Sequence, residues 1–403
     1  MFKGKNVVLA VTGSIAAYKA ADIASALIKK GCCVNVIMTK NAENFINPIT
    51  FEELTKNKCI TDTFDRNFEY DIAHISLAAK ADVFITAPAS ANIIGKIANG
   101  IADDMLTTTI MAAKCPKIIS PAMNTNMYEN PIVQDNIKKL ESFGYIIIPP
   151  AEGRLACGTT GKGKFPDKEI ILDYIEKALS EKQDLKGKKL LVTAGPTQEN
   201  IDPVRYITNH SSGKMGWAIA KAAMLRGADV TLVSGPVNLA PLSFVKTVNI
   251  ISARDMFESV TALAPESDII IKAAAVADYR PAQIAENKIK KSSGEASIKL
   301  ERTDDILKTI AKNKQRNQFI CGFSMETENM LENSRHKLED KSLDMIVCNN
   351  LKDKGAGFGT DTNKVTVITK DSTQQLELMN KQDVADQILD RIVKMIQSDD
   401  YAG

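Results

Sequence analysis

Residues 5–38, KNVVLAVTGSIAAYKAADIASALIKKGCCVNVIM, decide the fold. Within Lys5–Val11 the run NVVLAV is apolar without alternation, and Gly4 and Gly13-Ser14 bound it. Such a run suits a strand buried on both faces, as in a parallel sheet. From Ile15 to Lys30 the spacing of Ile15, Tyr18, Ala21, Ile23, Ala26, Leu27 and Ile28 is helical, and Gly31 supplies the stop. Val34–Met38 then predicts a second strand. The whole is a βαβ opening whose glycine turn aims backbone N–H groups from a helix N-terminus, a ready anion site. The turn reads G-S-I-A and not G-x-G-x-x-G, so nicotinamide binding has no specific support.

Outward from this unit the alternation continues. Strands are expected at Val83–Ala87, Lys117–Ser120 and Tyr145–Ile148, with helices at Asn92–Ile97, Met105–Ala112, Val133–Ser142 and Glu169–Ser180. The opening then repeats: FKGKNVVLAVTG at 2–13 is echoed by LKGKKLLVTAG at 185–195. A helix at Gly213–Arg226, a Gly227 stop and a strand at Val230–Ser234 follow. The expectation is α/β: two doubly wound, mostly parallel-sheet domains in tandem, Rossmann-like or flavodoxin-like, spanning residues 1–185 and 186–403.

The chain has 403 residues, enough for two cores of that size. Its 51 Lys and Arg against 49 Asp and Glu leave a net charge of +2, which argues against broad binding to nucleic acid or an anionic membrane surface. No apolar run approaches the roughly 18–20 residues of a membrane span, and the first residues lack a signal-peptide pattern. The seven cysteines are irregularly spaced with no C-x-x-C, and only His74, His210 and His336 are available. Neither a disulfide framework nor a protein-held metal centre is suggested, and a reducing cytoplasm is expected.

Four clusters in the first half can carry chemistry. Gly13-Ser14-Ile15 with Thr39 sits at two strand ends, where a phosphate or a plain βα turn fits equally. Ser90 and Asn92 follow a third strand, and either as an N-cap explains that segment without a ligand. PAMNTNMY at 121–128 is unusual for its two asparagines after a strand. GRLACGTTGKGK at 153–164 holds four glycines and predicts a mobile flap that can close over a site.

Together with AHISL at 73–77 and TAPASANIIGKIANGIADDML at 86–106, these clusters resemble the flavin-containing cysteine decarboxylases. That family's loop reads Pro-x-Met-Asn-x-x-Met-Trp; here Tyr128 stands for Trp. The resemblance implies an FMN that oxidises the thiol to a thioaldehyde, so that the carboxylate is lost to give an enethiolate, which is then reduced. It further implies that Gly13, Ser14, Ile15, Thr39, Ser90 and Asn92 surround FMN. Asn124 with Met123 would hold the substrate, His74 would act as a base or polar partner, and Cys157 would donate the proton.

In the second half, AGPTQENIDPVRYITNHSSGKMG at 194–216 is a polar loop after a strand, with Ser211 or Ser212 a candidate N-cap. It is not a Walker A loop, because Met215 follows Gly213-Lys214. Lys288 to Lys299 carries four lysines and one glutamate, ordinarily a solvated basic loop and more sharply a phosphate-closing lid. With AAVADYR, ENKIKK and GFSMET, these segments resemble the phosphopantothenate–cysteine ligases. Both halves joined resemble the bacterial bifunctional family of coenzyme A biosynthesis. The resemblance implies CTP, Mg²⁺, 4′-phosphopantothenate and L-cysteine as reactants and an acyl-cytidylate intermediate. Lys288 would stabilise phosphate charge, while Asn209 and Arg205 would orient the acyl group. Asp278, Thr303, Asp304, Asp305, Ile306, Phe323, Lys337 and Lys341 match nucleotide contacts, although the family often has Asn-Pro where Thr303-Asp304 stands. Mg²⁺ would ride on the phosphates, with no protein ligand assigned. Family members form homo-oligomers: the flavin domain gives trimers and dodecamers with His74 and FMN from different subunits, and the ligase domain gives dimers.

Overall fold

The computed structural model describes residues 1–64, 73–156, 158–290, 297–326, 329–350, 357 and 359–398. The chain divides into two compact units, Met1–Ser180 and Glu181–Gly403. The division precedes the expected 185/186 boundary because the segment after Ser180 packs into the second unit. There Gln183 donates to the Leu225 carbonyl at 3.1 Å, and the buried Arg226 pairs with Asp184.

In the first unit, β1 (Asn6–Val11), β2 (Cys33–Met38), β3 (Val83–Ala89), β4 (Lys117–Pro121) and β5 (Ile146–Ile147) form one parallel sheet in the order β2-β1-β3-β4-β5. The unbroken apolar run of β1 has its cause in this central position. Val7, Leu9 and Val11 face one core, while Val8 and Ala10 face another. The first core is covered by α1 (Lys19–Lys29), through Ile23 and Leu27, and by α8 (Lys168–Ala178), through Ile171 and Ile175. The second lies under α3 (Ala73–Lys80), α4 (Ala91–Ala98), α5 (Met105–Ala112) and α7 (Pro131–Ser142). Each fully buried Leu, Ile or Val stabilises the unit by roughly 1.5–3 kcal/mol relative to exposure, so a charge at either face of β1 would unfold it. The remaining helices are α2 (Pro48–Thr55) and the single turn α6 (Thr125–Tyr128).

The expected helix at Ile15–Lys30 divides into a 3₁₀ turn, Ile15–Tyr18, and α1. A larger correction concerns 153–164. The expected mobile flap is a paired hairpin, β6 (Ala151–Arg154) against β7 (Thr160–Lys164).

In the second unit, β8 (Lys189–Ala194), β11 (Asp229–Ser234), β12 (Lys246–Asn249), β13 (Ile269–Lys272), β16 (Phe319–Glu326), β17 (Met345–Asn350), β19 (Val365–Ile368) and β20 (Thr373–Gln375) make an eight-stranded sheet. Its order is β12-β11-β8-β13-β16-β17-β19-β20; the first six strands run parallel and the last two join antiparallel. Short antiparallel pairs lie outside it: β9 (Gln198–Asn200) with β10 (Tyr206–Thr208), β14 (Tyr279–Pro281) with β15 (Leu300–Arg302), and β18 (Thr362–Asn363) with β21 (Met379–Asn380). Helices α9 (Lys214–Leu225) and α13 (Lys381–Gln397) cover one face, and α10 (Ala253–Leu263), α11 (Ile306–Lys312) and α12 (Met330–Asp340) the other. Two doubly wound, mostly parallel sheets in tandem are the expected class. The N-cap of α9 is neither Ser211 nor Ser212 but Gly213, whose φ of 77° is left-handed and open to glycine at little cost.

Candidate active sites

Ligands of open α/β sheets bind beyond the carboxyl ends of the strands, where the strand order reverses. In the first unit that point lies between β1 and β3. A cavity of about 650 Å³ opens there, lined by Gly13, Ser14 and Ile15 after β1, by Ser90 after β3 and by Met123 and Asn124 after β4. Ser14 Oγ accepts from Ala16 N at 3.3 Å and Ser90 Oγ from Ile93 N at 3.4 Å, so each hydroxyl starts a helix at the rim. Gly13 is required by a close approach: a Cβ there would stand 2.7 Å from Asn41 Cβ. Phe45, Met127, Leu155 and Phe165 give the cavity apolar walls.

The substrate-loop candidate Asn124 is the N-cap of α6, its Oδ1 accepting from Asn126 N at 2.9 Å. That bond fixes the carboxamide at the cavity wall. The hairpin is fastened to the same loop, because Met123 N donates to Gly163 O at 3.1 Å. The G-K-G spacing makes this contact possible. A Cβ on Gly163 would lie 2.3 Å from Met123 O and one on Gly161 2.6 Å from Thr125 Oγ1. Cys157 lies outside the described residues. Thr39, Asn92 and His74 do not line this cavity. Thr39 closes β2 by donating its N–H to Val11 O at 3.1 Å, Asn92 is inside α4, and His74 is near the start of α3.

In the second unit the order reverses between β8 and β13. A cavity of about 420 Å³ there brings together Asn209, Asp278, Phe323, Lys337 and Lys341. Asn209 Nδ2 donates to the Ala275 carbonyl at 2.9 Å, which orients its carboxamide. Lys341 pairs with Asp305 at 2.8 Å, and Asp305 also caps α11 by accepting from Lys308 N at 3.1 Å. Burial opposes the charge of Asp305, but the Lys341 hydrogen bond and the Lys308 N–H outweigh it and hold the carboxyl below its ordinary range. Thr303 backs the wall: its N–H donates to Asp278 O at 3.0 Å and its Oγ1 to Ala277 O at 2.7 Å. Thr303, Asp304, Asp305 and Ile306 themselves do not line the cavity, and neither do Arg205 and Lys288.

Arg205 and Lys288 are linked through a fully buried carboxylate that the sequence did not mark. Asp202 accepts from Val204 N at 2.8 Å, Arg205 N at 2.9 Å, Arg205 Nε at 3.0 Å and Ile289 N at 3.2 Å. Arg205 Nη2 donates to the Ile289 carbonyl at 3.1 Å. The ion pair thus grips both peptide groups of Ile289, the residue after Lys288. Hydrogen bonds from Arg205, then the backbone N–H groups, hold the Asp202 carboxyl well below the usual carboxylate range.

Other unmarked residues line the same cavity: Lys214, Lys272, Asn349, Asn363 and Lys381. Asn349 is buried, and its Oδ1 accepts no hydrogen bond among the described residues. For Lys272 one signal was present, a charge closing the apolar strand IIIK. The cavity walls are therefore cationic, with Asp278 the carboxylate among their described residues, and such walls suit a polyphosphate.

The profile for "Flavoprotein" matches residues 1–180, and that for "DNA/pantothenate metabolism flavoprotein C-terminal domain" matches 185–396. The coenzyme A biosynthesis bifunctional protein CoaBC of Bacillus subtilis (strain 168) is 47% identical over 399 residues, covering 98% of each chain. A cysteine/cysteine sulfinic acid decarboxylase from an unknown prokaryotic organism is 44% identical over 358 residues, 87% of this chain and 99% of its own. The crystal structure of the C-terminal domain of a coenzyme A biosynthesis bifunctional protein CoaBC is 44% identical, with a TM-score of 0.46, over 53% of this chain and 98% of that one. A flavoprotein unit followed by a pantothenate-metabolism unit, matched end to end by such relatives, places the chain in the family of coenzyme A biosynthesis bifunctional proteins.

Proposed function

We propose that residues 186–403 join 4′-phosphopantothenate to L-cysteine with CTP, and that residues 1–185 decarboxylate the product to 4′-phosphopantetheine. The observation that carries this reading is the pair of dissimilar cavities, one mostly apolar with Lys19, Arg154 and Lys164 in its lining and one more polar with five lysines, each at the strand-order reversal of its own sheet.

In the ligase unit the substrate carboxylate attacks the α-phosphorus of CTP, and the bond to pyrophosphate breaks. Lys288 neutralises charge gathering on that phosphate, while Asp202 and Arg205 hold its loop. Asn209 orients the acyl group, and Lys337 and Lys341 bind the triphosphate with Asp278 and Phe323 beside them. The Asp305 cap and the Thr303–Ile306 turn position Lys341. The cysteine amine then attacks the acyl carbon and expels CMP. Mg²⁺ enters with the nucleotide on its phosphates; among the described residues no group of three His, Cys, Asp or Glu could hold a metal ion.

The first unit's cavity fits FMN: its volume is within the range of cofactor sites, its walls are apolar, and Gly13, Ser14 and Ser90 bring helix starts to one rim. Bound there, FMN supplies the two-electron oxidation and reduction at the thiol-bearing carbon. Asn124 binds the substrate carboxylate, His74 accepts the thiol proton, and Cys157 protonates the enethiolate. That His74 does not line its own unit's cavity supports a site completed by a second copy in a trimer-based homo-oligomer. The reactants are small charged solutes, which suits the cytoplasm; among the described residues no helix is long and apolar enough to cross a membrane.

The test is incubation of purified protein with 4′-phosphopantothenate, cysteine, CTP and Mg²⁺, following pyrophosphate, CO₂ and flavin absorbance. Absence of pyrophosphate overturns the ligase assignment, and pyrophosphate without CO₂ overturns the decarboxylase assignment. The 44% identity to a cysteine/cysteine sulfinic acid decarboxylase favours a second reading, action on free cysteine, which an arm lacking 4′-phosphopantothenate and CTP decides.

A further inference from the structure

Lys272 ends β13, beside the reversal point of the eight-stranded sheet. Its backbone is fixed between strands, paired with Thr193 of β8 and Gly322 of β16, after three fully buried isoleucines. The side chain lines the cationic cavity, and its charged neighbours come from around four helices and one loop. Lys337 approaches from α12 and Lys341 from the residue that caps its end, Asp305 from the foot of α11, and Asp278 from the loop after β13. Lys214 of α9 and Lys381 of α13 complete the lining.

The lysines of this cavity are not equivalent. Lys341 is neutralised by Asp305 at 2.8 Å and Lys214 by Asp361 at 2.7 Å. Lys381 donates to the carbonyls of Gly357 and Thr360 at 3.2 and 2.6 Å. Lys272 has no such acceptor among the described residues. A half-buried ammonium among other lysines and without an acceptor is an unfavourable cation. Burial, and next the charge of Lys341, push its pKa down to about 8, against the opposing pull of Asp305 and Asp278.

We propose that Lys272 is a phosphate ligand charged by the nucleotide itself: entry of the triphosphate draws a proton from solvent onto its amine, and the resulting ammonium binds the phosphates. This rests on the ligase reading above. The reaction is a protonation, R–NH₂ + H⁺ → R–NH₃⁺, balanced by the anionic charge that enters with CTP. Release of pyrophosphate withdraws most of that charge and returns the proton to solvent. Lys272 thereby senses whether the cavity holds phosphate.

The test is calorimetric titration of the full chain with Mg·CTP, and separately with inorganic pyrophosphate, in buffers of differing ionisation enthalpy. At pH 8 the phosphates of Mg·CTP are already ionised, so proton uptake with CTP reports the protein, whereas pyrophosphate still carries a proton of its own and that arm reports binding alone. A fraction of a proton is taken up at pH 8, more at pH 9 and less at pH 7. Lys272→Met should abolish the uptake and weaken CTP binding at pH 7 by roughly 10- to 100-fold. Lys272→Arg, permanently charged, should bind without uptake and without loss of affinity between pH 7 and 9. Undiminished uptake in either variant, or wild-type binding with no uptake at pH 8, overturns the proposal. Wild-type protein that gives no binding heat with CTP or pyrophosphate overturns the ligase reading beneath it, a result distinct from binding without a proton.

Discussion

Replacing Gly163 by alanine separates the two reactions through a contact that the structure makes explicit. The new Cβ would stand 2.3 Å from Met123 O, at a backbone φ of +125°. Carbon and a carbonyl oxygen do not normally approach closer than about 3.3 Å, so β7 must retreat by about 1 Å. The displacement breaks the 3.1 Å bond from Met123 N to Gly163 O. Alanine at that φ costs about 1–3 kcal/mol, the lost backbone bond about 1 kcal/mol, and the overlap about 1–3 kcal/mol. The terms are not additive, since undocking the hairpin relieves the overlap, and about 3–4 kcal/mol against docking is a reasonable sum. At 1.36 kcal/mol per decade, that lowers decarboxylation by roughly 10²- to 10³-fold if the docked hairpin is needed for catalysis. The assay is CO₂ release from supplied 4′-phosphopantothenoylcysteine, with pyrophosphate release by the second unit measured in parallel. Decarboxylation should collapse while ligation stays within twofold. Decarboxylation by Gly163→Ala within threefold of the wild type would show that the hairpin need not lie on the Asn124 loop.

Three further outcomes follow from the same sites. Lys288→Gln should reduce pyrophosphate release at least 100-fold while sparing decarboxylation of supplied intermediate. Cys157→Ser should stall after CO₂ loss, leaving an enethiol-type product visible by mass spectrometry instead of 4′-phosphopantetheine. Asp202→Asn should slow ligation by loosening the clamp on Ile289, again without effect on the first unit. Because the folded carboxyl of Asp202 is held low, its contribution to stability is fully present above the unfolded value near pH 4 and is lost as pH falls below it. The Asn variant should therefore show a weaker loss of second-unit thermal stability between pH 5 and 3.

The sequence made the βαβ opening legible because β1 is buried on both faces and its apolar run is unbroken; Val8 and Leu9 point to opposite cores, so neither position tolerates a polar residue. The Met105–Ala112 helix has the bounds expected from its sequence, and the structure adds its cap, Asp104. Other features depend on distant contacts. The glycines of 153–164 suggested mobility when taken alone, yet Gly161 and Gly163 are what allow a strand to lie on Met123–Thr125. Arg205, which the resemblance implies as a substrate contact, also meets Ile289, brought to it across 84 residues by the fold, beside a carboxylate that no local pattern marks. Lys272 and Asn349 share one cavity because two separate strands end at the same edge, a property of strand order rather than of spacing.

The central claim is that ligation in the second unit supplies the substrate of the first. Carboxyl-labelled cysteine tests it most directly, because the label leaves as CO₂ only at decarboxylation. Labelled CO₂ is expected only when 4′-phosphopantothenate and CTP are both present, appearing after pyrophosphate and rising to one CO₂ per pyrophosphate. Labelled CO₂ from cysteine alone, at a rate that CTP and 4′-phosphopantothenate do not raise, would contradict it.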